Sequence, residues 1–531
     1  MLWIALHLPL LSLESFAATL PCTADRQGQA LALMDAHVIR SANAAARALG
    51  VEPGLKRATA LALAPHLTLG QADPARDAQA LTAVAHAALA FTPMVVIQPP
   101  EAAAAAAPAD AAAHTVLLEV QASLRYFGGL PALLQRLHAA LAPLGHRLHT
   151  VSASTALGAA LLARAHLHLD CADLAATRRA LDAAPVWLLG PGRVHWEALQ
   201  GMGLRSLADL RRVPRDGLAR RFGEVMLSEL DRAMGTRPDP REPLVPASAF
   251  DSRLELCARA DTTEQLMHGA AVLLARLVAW LSAQHAFVRR FTLVMAHEKR
   301  SRRDVDTAAA TALEVALAEP ARDSAHLLVL LRERLAPLQL PAPTLELHLH
   351  AADIVRRAPP NAELFPTPTS EQEGLTRLIE RLQARLGPGQ VLRLEQSQDH
   401  RPERASAWRV ADAQTRPPRA RTSTNTSTNT STSTSTSTAG PTRPPAAVRP
   451  VWMLHPPEPL RERERGPVLD GQPLQLLSSP ERIESGWWDA ALAERDYFIA
   501  QSPGGALVWI YRARLPASAA TQGWFLHGRF G

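Results

Sequence analysis

The sequence predicts a multidomain protein of mixed α/β and α+β architecture, and three observations carry that reading. The chain has 531 residues with 47% hydrophobic content, more than one hydrophobic core usually organises and enough to build several. Strand-like and helix-like patterns alternate over residues 1–170 and again over 245–350, with a stretch of short helices and tight turns between them. A Ser/Thr/Asn run then separates these segments from a tail dense in aromatics, where five of the ten tryptophans lie beyond residue 450.

The first segment opens on LWIALHLP, an apolar run of strand length. The opening MLWIALHLPLLSLESF lacks a basic leader and carries polar residues within its run, so it predicts a core strand and not a secretory signal. A short α/β region follows, with turns at Gly50 and Gly54, then a helix and strand in ARDAQALTAVAHAALAFTPMVVIQPP. After an Ala-rich loop come the buried strand TVLLEV, the turn and helix start ASLRYFGG, the helix PALLQRLHAALAPLG and a strand around HRLHTVSAS. The segment ALQGMGLRSLADL has the form of a helix-hairpin-helix. Gly201 and Gly203 form the hairpin, Arg205 lies beside it, and Arg211, Arg212, Arg220 and Arg221 follow. Glycines there allow backbone N–H groups at the second helix to approach a phosphate; an ordinary turn between packed helices has the same spelling, and the arginines favour DNA. Residues 245–350 contain two helices and the strands FTLVMAHE and LELHLHAA, and a further helix spans about 370–387.

The net charge of +6 is almost entirely arginine, with Lys56 and Lys299 the only lysines. Arginine suits phosphate contacts, although so small an excess over this length points only weakly to nucleic acid. Cys22, Cys171 and Cys257 lie far apart without metal-ligand spacing, which fits a reducing, cytoplasmic setting. No uninterrupted run of eighteen apolar residues predicts a membrane span. The pairs His166/His168 and His348/His350 could each face one way from a strand, but neither has a third ligand in view, so no metal is expected. YFGG lacks the Lys-Ser/Thr of a phosphate loop, and no nucleophile elbow is present. In PNAELFPTP, Leu364 and Phe365 form an apolar pair between prolines, either a docking peptide or a linker tucked onto a domain. Residues 411–447 offer almost no apolar surface and read as a disordered tether; residues 448–531 read as a compact, mostly β module.

Several of these segments resemble Y-family translesion DNA polymerases. ARALGVEPGLKRATALALAPHLTL is similar to their fingers, TVLLEVQASLRYFGG to a palm strand, and LQGMGLRSLADLRRVP with LARRFG to their thumb. ERLQARLG with QDHRPERAS, and SSPERIESGWWD, ERDYFIA, LVWIYR and GWFLHGRFG near the end, resemble a subgroup within that family: the polymerase-like subunit of a bacterial damage-induced mutagenesis complex. The resemblance implies a palm over 1–170 with fingers inserted at about 28–75, a helix-hairpin-helix thumb over 171–240, and a little finger over 245–350. It further implies a connecting segment over 351–410 holding the clamp peptide, the tether, and a partner-binding module over 448–531.

Active members of the family hold two Mg²⁺ ions on palm carboxylates. The matching positions here fall at His7, His114 and Thr115, and the nucleotide-packing Tyr falls at Ala44, while Arg47 of the AR-x-x-G pattern remains. The resemblance therefore implies a non-catalytic protein with no cofactor. Its expected partners are DNA, the sliding clamp through Leu364 and Phe365, an error-prone C-family DNA polymerase, and a small RecA-like protein, ImuA. Trp487, Trp488, Trp509 and Trp524 are the expected partner anchors. The alternative is an active polymerase with non-standard ligands, which requires Glu119 and Glu14 to converge on the palm.

Overall fold

The computed structural model describes residues 1–21, 28–98, 114–298, 309–356, 368–411, 449–463, 466–489, 491–514 and 523–531. They form two compact units, Met1–Arg385 and Leu386–Gly531.

The first unit is built around a five-stranded sheet in the order 95–97, 115–119, 3–7, 149–153, 168–170. Strand Trp3–His7 is central and buried throughout, which is why its sequence is apolar on both faces. Its side chains alternate between two cores, as the period of two of a strand requires. Ile4 and Leu6 pack with Val84, Leu133 and Leu137 from helices Pro74–Leu89 and Leu130–Leu141. Trp3 and Ala5 pack on the other face with Val151, Ala159 and Leu162, the last two from helix Ala156–Ala165. Antiparallel pairing sets His7 opposite Thr115 and also opposite His149, and it sets Trp3 opposite Glu119.

A small three-stranded sheet, in the order 38–42, 31–35, 68–71, has its own core around Ile39, Ala46 and Val51. Downstream of the large sheet, short helices Trp196–Gly201, Leu207–Arg212, Arg215–Phe222 and Glu224–Ala233 bury Leu199, Leu210, Phe222 and Met226 in the core that also holds Trp3. A four-stranded antiparallel sheet then combines Phe250–Ala260, Ala286–His297, Ala310–Ala321 and Thr344–Arg356. Helix Thr263–Ala283 lies over it, capped by Thr262 and Gln265 in a reciprocal box. Among the described residues this is the one helix long and apolar enough to cross a membrane; here it is a core helix, burying Leu266, Leu273, Leu277 and Trp280. Its Arg276 is also buried, and donates to Gln79 on helix Pro74–Leu89 (3.1 Å), Ser252 (3.2 Å) and the Arg253 carbonyl (3.3 Å). Burial lowers its pKa to about 10, so it remains a cation held by neutral acceptors.

The second unit is mostly β. A two-stranded ribbon, Leu392–Gln396 with Ser406–Val410, precedes the low-complexity run, and an eight-stranded antiparallel sheet follows it. That sheet is apolar on both faces. Along Leu507–Ala513, Val508 and Ile510 enter one cluster with Trp524 and Leu526, while Trp509 and Tyr511 enter another with Tyr497 and Ile483.

Candidate functional site

The end of the central strand is where the resemblance implies metal carboxylates, and the structure shows what occupies it. His7 Nδ1 and Thr115 Oγ1 are hydrogen-bonded at 3.1 Å across the strand pair, with the His149 ring edge-on to His7 at 5.7 Å. Burial, reinforced by Arg164, His149 and His114, lowers the His7 pKa to about 3, so the imidazole is neutral at physiological pH. His114 Nε2 lies 3.4 Å from Ser12 Oγ. Ser12 in turn donates to Asp77, and the other Asp77 oxygen accepts from Ser15 at 2.8 Å. Burial also lowers the His114 pKa, partly offset by the Asp77 carboxylate.

This constellation does not fit a Mg²⁺ pair. Hard divalent cations require several anionic oxygens, and the network holds one carboxylate with each oxygen already accepting a hydroxyl proton. The two acids proposed as substitutes are each engaged with other groups. Glu119 pairs with Trp3, four residues along the strand from Thr115, roughly 13 Å away at strand rise, and its carboxylate accepts from the Gln121 N–H. Glu14 accepts from the Arg147 N–H at 3.1 Å. Among the described residues no three His, Cys, Asp or Glu side chains are gathered as metal ligands.

Ser12, Ser15 and Asp77 were not singled out from the sequence, where 65 and 62 residues separate the two serines from the aspartate. The histidine pairs also resolve differently from expectation. His166 caps helix Ala156–Ala165, leaving only His168 on a strand. His348 and His350 do face one way, toward Asp251 on the neighbouring strand, at 2.7 and 3.8 Å; that acid was invisible from the local sequence.

A tight turn joins helices Trp196–Gly201 and Leu207–Arg212. Helix Trp196–Gly201 ends at Met202, and Gly203 takes φ +78°, a conformation that favours glycine. Its backbone donors, however, are engaged within the motif. The Gly203 N–H bonds Gln200 and the Leu204 N–H bonds Leu199, while Arg205, Ser206 and Asp209 N–H groups are taken by the Ser206–Asp209 capping box. Phosphate approach by those N–H groups is thus closed, and anion contact falls to side chains. Arg211, Arg212 and Arg215 are paired with Asp182, Asp209 and Asp231. Arg205, Arg220 and Arg221 are exposed, and among the described residues no ion pair holds them.

The four tryptophans divide two and two. Trp487 and Trp488 are 79% and 55% exposed and meet edge to face at 5.4 Å. Trp509 and Trp524 are 1% and 7% exposed; Trp509 stacks on Tyr497 at 4.1 Å. The latter two are core residues, which corrects their reading as partner anchors: a side chain closed off in a packed sheet cannot reach another protein. Leu364 and Phe365 lie outside the described residues, as do 412–448.

No protein-family model matches the chain. Over 494 residues it is 29% identical to Protein ImuB from two strains of Caulobacter vibrioides, covering 91% of this chain and 100% of the relative. Among solved structures, DinB from Sulfolobus solfataricus is similar at 14% identity and TM-score 0.37, over 67% of this chain and 99% of that one. An insertion ternary complex of Dbh DNA polymerase is similar at 14% identity and TM-score 0.38, over 67% and 100%. The similarity to Protein ImuB thus runs over nearly the full length of both chains.

Proposed function

We propose that this protein is a non-catalytic, polymerase-like adaptor acting in the cytoplasm during damage-induced translesion DNA synthesis and mutagenesis. The observation that carries the reading is the closed pairing of His7 with Thr115 and of His114 with Ser12 and Asp77, in a chain similar to Protein ImuB over 494 residues. Two-metal phosphoryl transfer needs converging carboxylates to hold the cations and orient the attacking hydroxyl; these residues offer hydrogen bonds to one another instead.

In this reading the parts divide the work. Arg205, Arg220 and Arg221 contact phosphates without reading sequence. Leu364 and Phe365 dock on the sliding clamp. The second unit, with Trp487 and Trp488 exposed, engages an error-prone C-family DNA polymerase and the RecA-like protein ImuA. Several weak contacts in one chain raise the effective concentration of the partners at a stalled primer end.

Primer extension by the purified protein, with Mg²⁺ and with Mn²⁺ on undamaged and lesion-bearing templates, tests this directly when DNA binding is recorded in parallel. Binding without nucleotide addition is expected. Extension that survives purification and disappears in Glu119→Gln would overturn the adaptor reading.

A further inference from the structure

We infer that residues 386–411 and 449–531 form one discontinuous domain closed by Arg401, and that the Ser/Thr/Asn run is an insertion within that domain, not a tether between two. Arg401 comes from the segment before the run. Its side chain is 2% exposed, and every arm of the guanidinium is engaged. Nε and Nη2 donate to Asp399 (3.0 and 2.6 Å), Nη1 and Nη2 to Asp489 (2.9 and 2.6 Å), and Nη1 also to the Ala491 carbonyl (2.9 Å). Asp489 and Ala491 belong to the other side of the run. Arg404 adds a second cation on Asp489, and the Trp488 ring lies 5.6 Å from the Arg401 guanidinium carbon.

Two further features make this a built junction. Gly486 has φ +87°, and a Cβ there would stand 2.5 Å from Arg401 Nη1 and 2.3 Å from the Ala491 carbonyl oxygen; the turn holding Trp487 and Trp488 therefore needs glycine for Arg401 to enter. Glu403, also from the first segment, accepts from Arg495 at 2.9 Å. Arg495 donates to the Tyr497 hydroxyl (3.0 Å), which is hydrogen-bonded to buried His527 (2.8 Å). The first segment is thus tied to the turn and to the aromatic core.

Both ends of the run depart from anchored positions. The Ala411 N–H bonds the Val391 carbonyl at 2.8 Å. Arg449 pairs with Glu481 and lies 4.8 Å over Trp509. A segment that begins and ends in one domain cannot set the reach between domains, and its length costs only slowly growing closure entropy.

The experiment uses the full chain with a site-specific protease sequence placed between residues 421 and 440. After cleavage, size-exclusion chromatography at micromolar concentration reads whether the pieces remain together. Co-elution of the cut wild-type chain is expected, with Arg401→Ala plus Glu403→Ala weakening the association by roughly tenfold or more. Arg401→Lys, which keeps charge but loses the fork, should fall between. Separation of the cut wild-type pieces, or equal retention in the double variant, would overturn the inference. An uncut chain with the run replaced by a short Gly/Ser link should keep the thermal transition of the second unit; losing it would also overturn the inference, independently of any adaptor role.

Discussion

The hydrogen-bonded groups at the end of strand Trp3–His7 and the Arg401 junction are both closed polar networks, but they close in opposite ways. At His7 and His114 the side chains are neutral, the single carboxylate is consumed by two serines, and burial lowers both histidine pKa values. At Arg401 the charge is retained and matched, and its hydrogen bonds lower the Asp489 pKa to about 2. The contrast separates two uses of polar groups. Buried polar side chains are stable when they satisfy one another, because each unpaired buried group costs free energy. A junction between distant chain segments gains specificity from fixed charges, because a fork geometry accepts few wrong partners.

The largest effect expected in this comparison comes from the core behind the junction. Trp509→Ala removes a buried ring stacked on Tyr497 and should cost about 3–5 kcal/mol, read as loss of the second unit's thermal transition. Asp77→Ala should cost about 1–3 kcal/mol by leaving the Ser12 and Ser15 hydroxyls without their acceptor, measured by denaturant unfolding. A smaller cost than that would mean the Ser12–Asp77–Ser15 network is not closed as described.

The two networks should also titrate in separate windows. The folded His7 pKa, about 3, lies below the ordinary 6.5. As pH falls below 6.5 the unfolded chain takes the proton first, so stability is full above 6.5 and declines toward pH 3. His7→Gln should flatten that part of the profile. Asp489, whose folded pKa of about 2 lies below 3.8, contributes stability above 3.8 that is lost only as pH falls toward 2. A single shared transition would erase the distinction.

Smaller effects belong to the surface. Arg220→Ala with Arg221→Ala should weaken DNA binding by roughly tenfold at low salt and lower the salt dependence by about two phosphate contacts, as filter binding across a salt series would show. Trp487→Ala should change stability by less than about 0.5 kcal/mol while, under the proposed adaptor role, reducing capture of a C-family polymerase in a pull-down. Unchanged capture would move the partner site elsewhere on the unit.

Much of the fold was legible because it rests on local patterns. Trp3–His7 and Thr115–Glu119 are apolar runs of strand length, Gly201 and Gly203 punctuate two short helices, and LVWIYR carries β-forming residues in an uninterrupted run. The absence of acids at His7, His114 and Thr115 was likewise visible once those strands were placed. What replaced the acids was not visible: Asp77 sits on a later helix, and nothing in ADPARDAQ marks it as the acceptor for two serines near the N-terminus. Nor do the tryptophans announce their surroundings. Trp487 and Trp488 stand at a turn and Trp509 within a strand, yet exposure was decided by a sheet that curls to bury both of its faces.

By itself, then, the sequence determined which segments become strands, helices and turns, and that His7, His114 and Thr115 are not carboxylates, since those properties belong to neighbours within a few residues. Tertiary structure alone decided that Arg401 meets Asp489 across 88 positions, that Glu14 accepts from the Arg147 N–H, and that the second unit includes residues on both sides of the low-complexity run. Contacts of that kind arise only after packing has chosen a register and a face, and chain separation carries no trace of them.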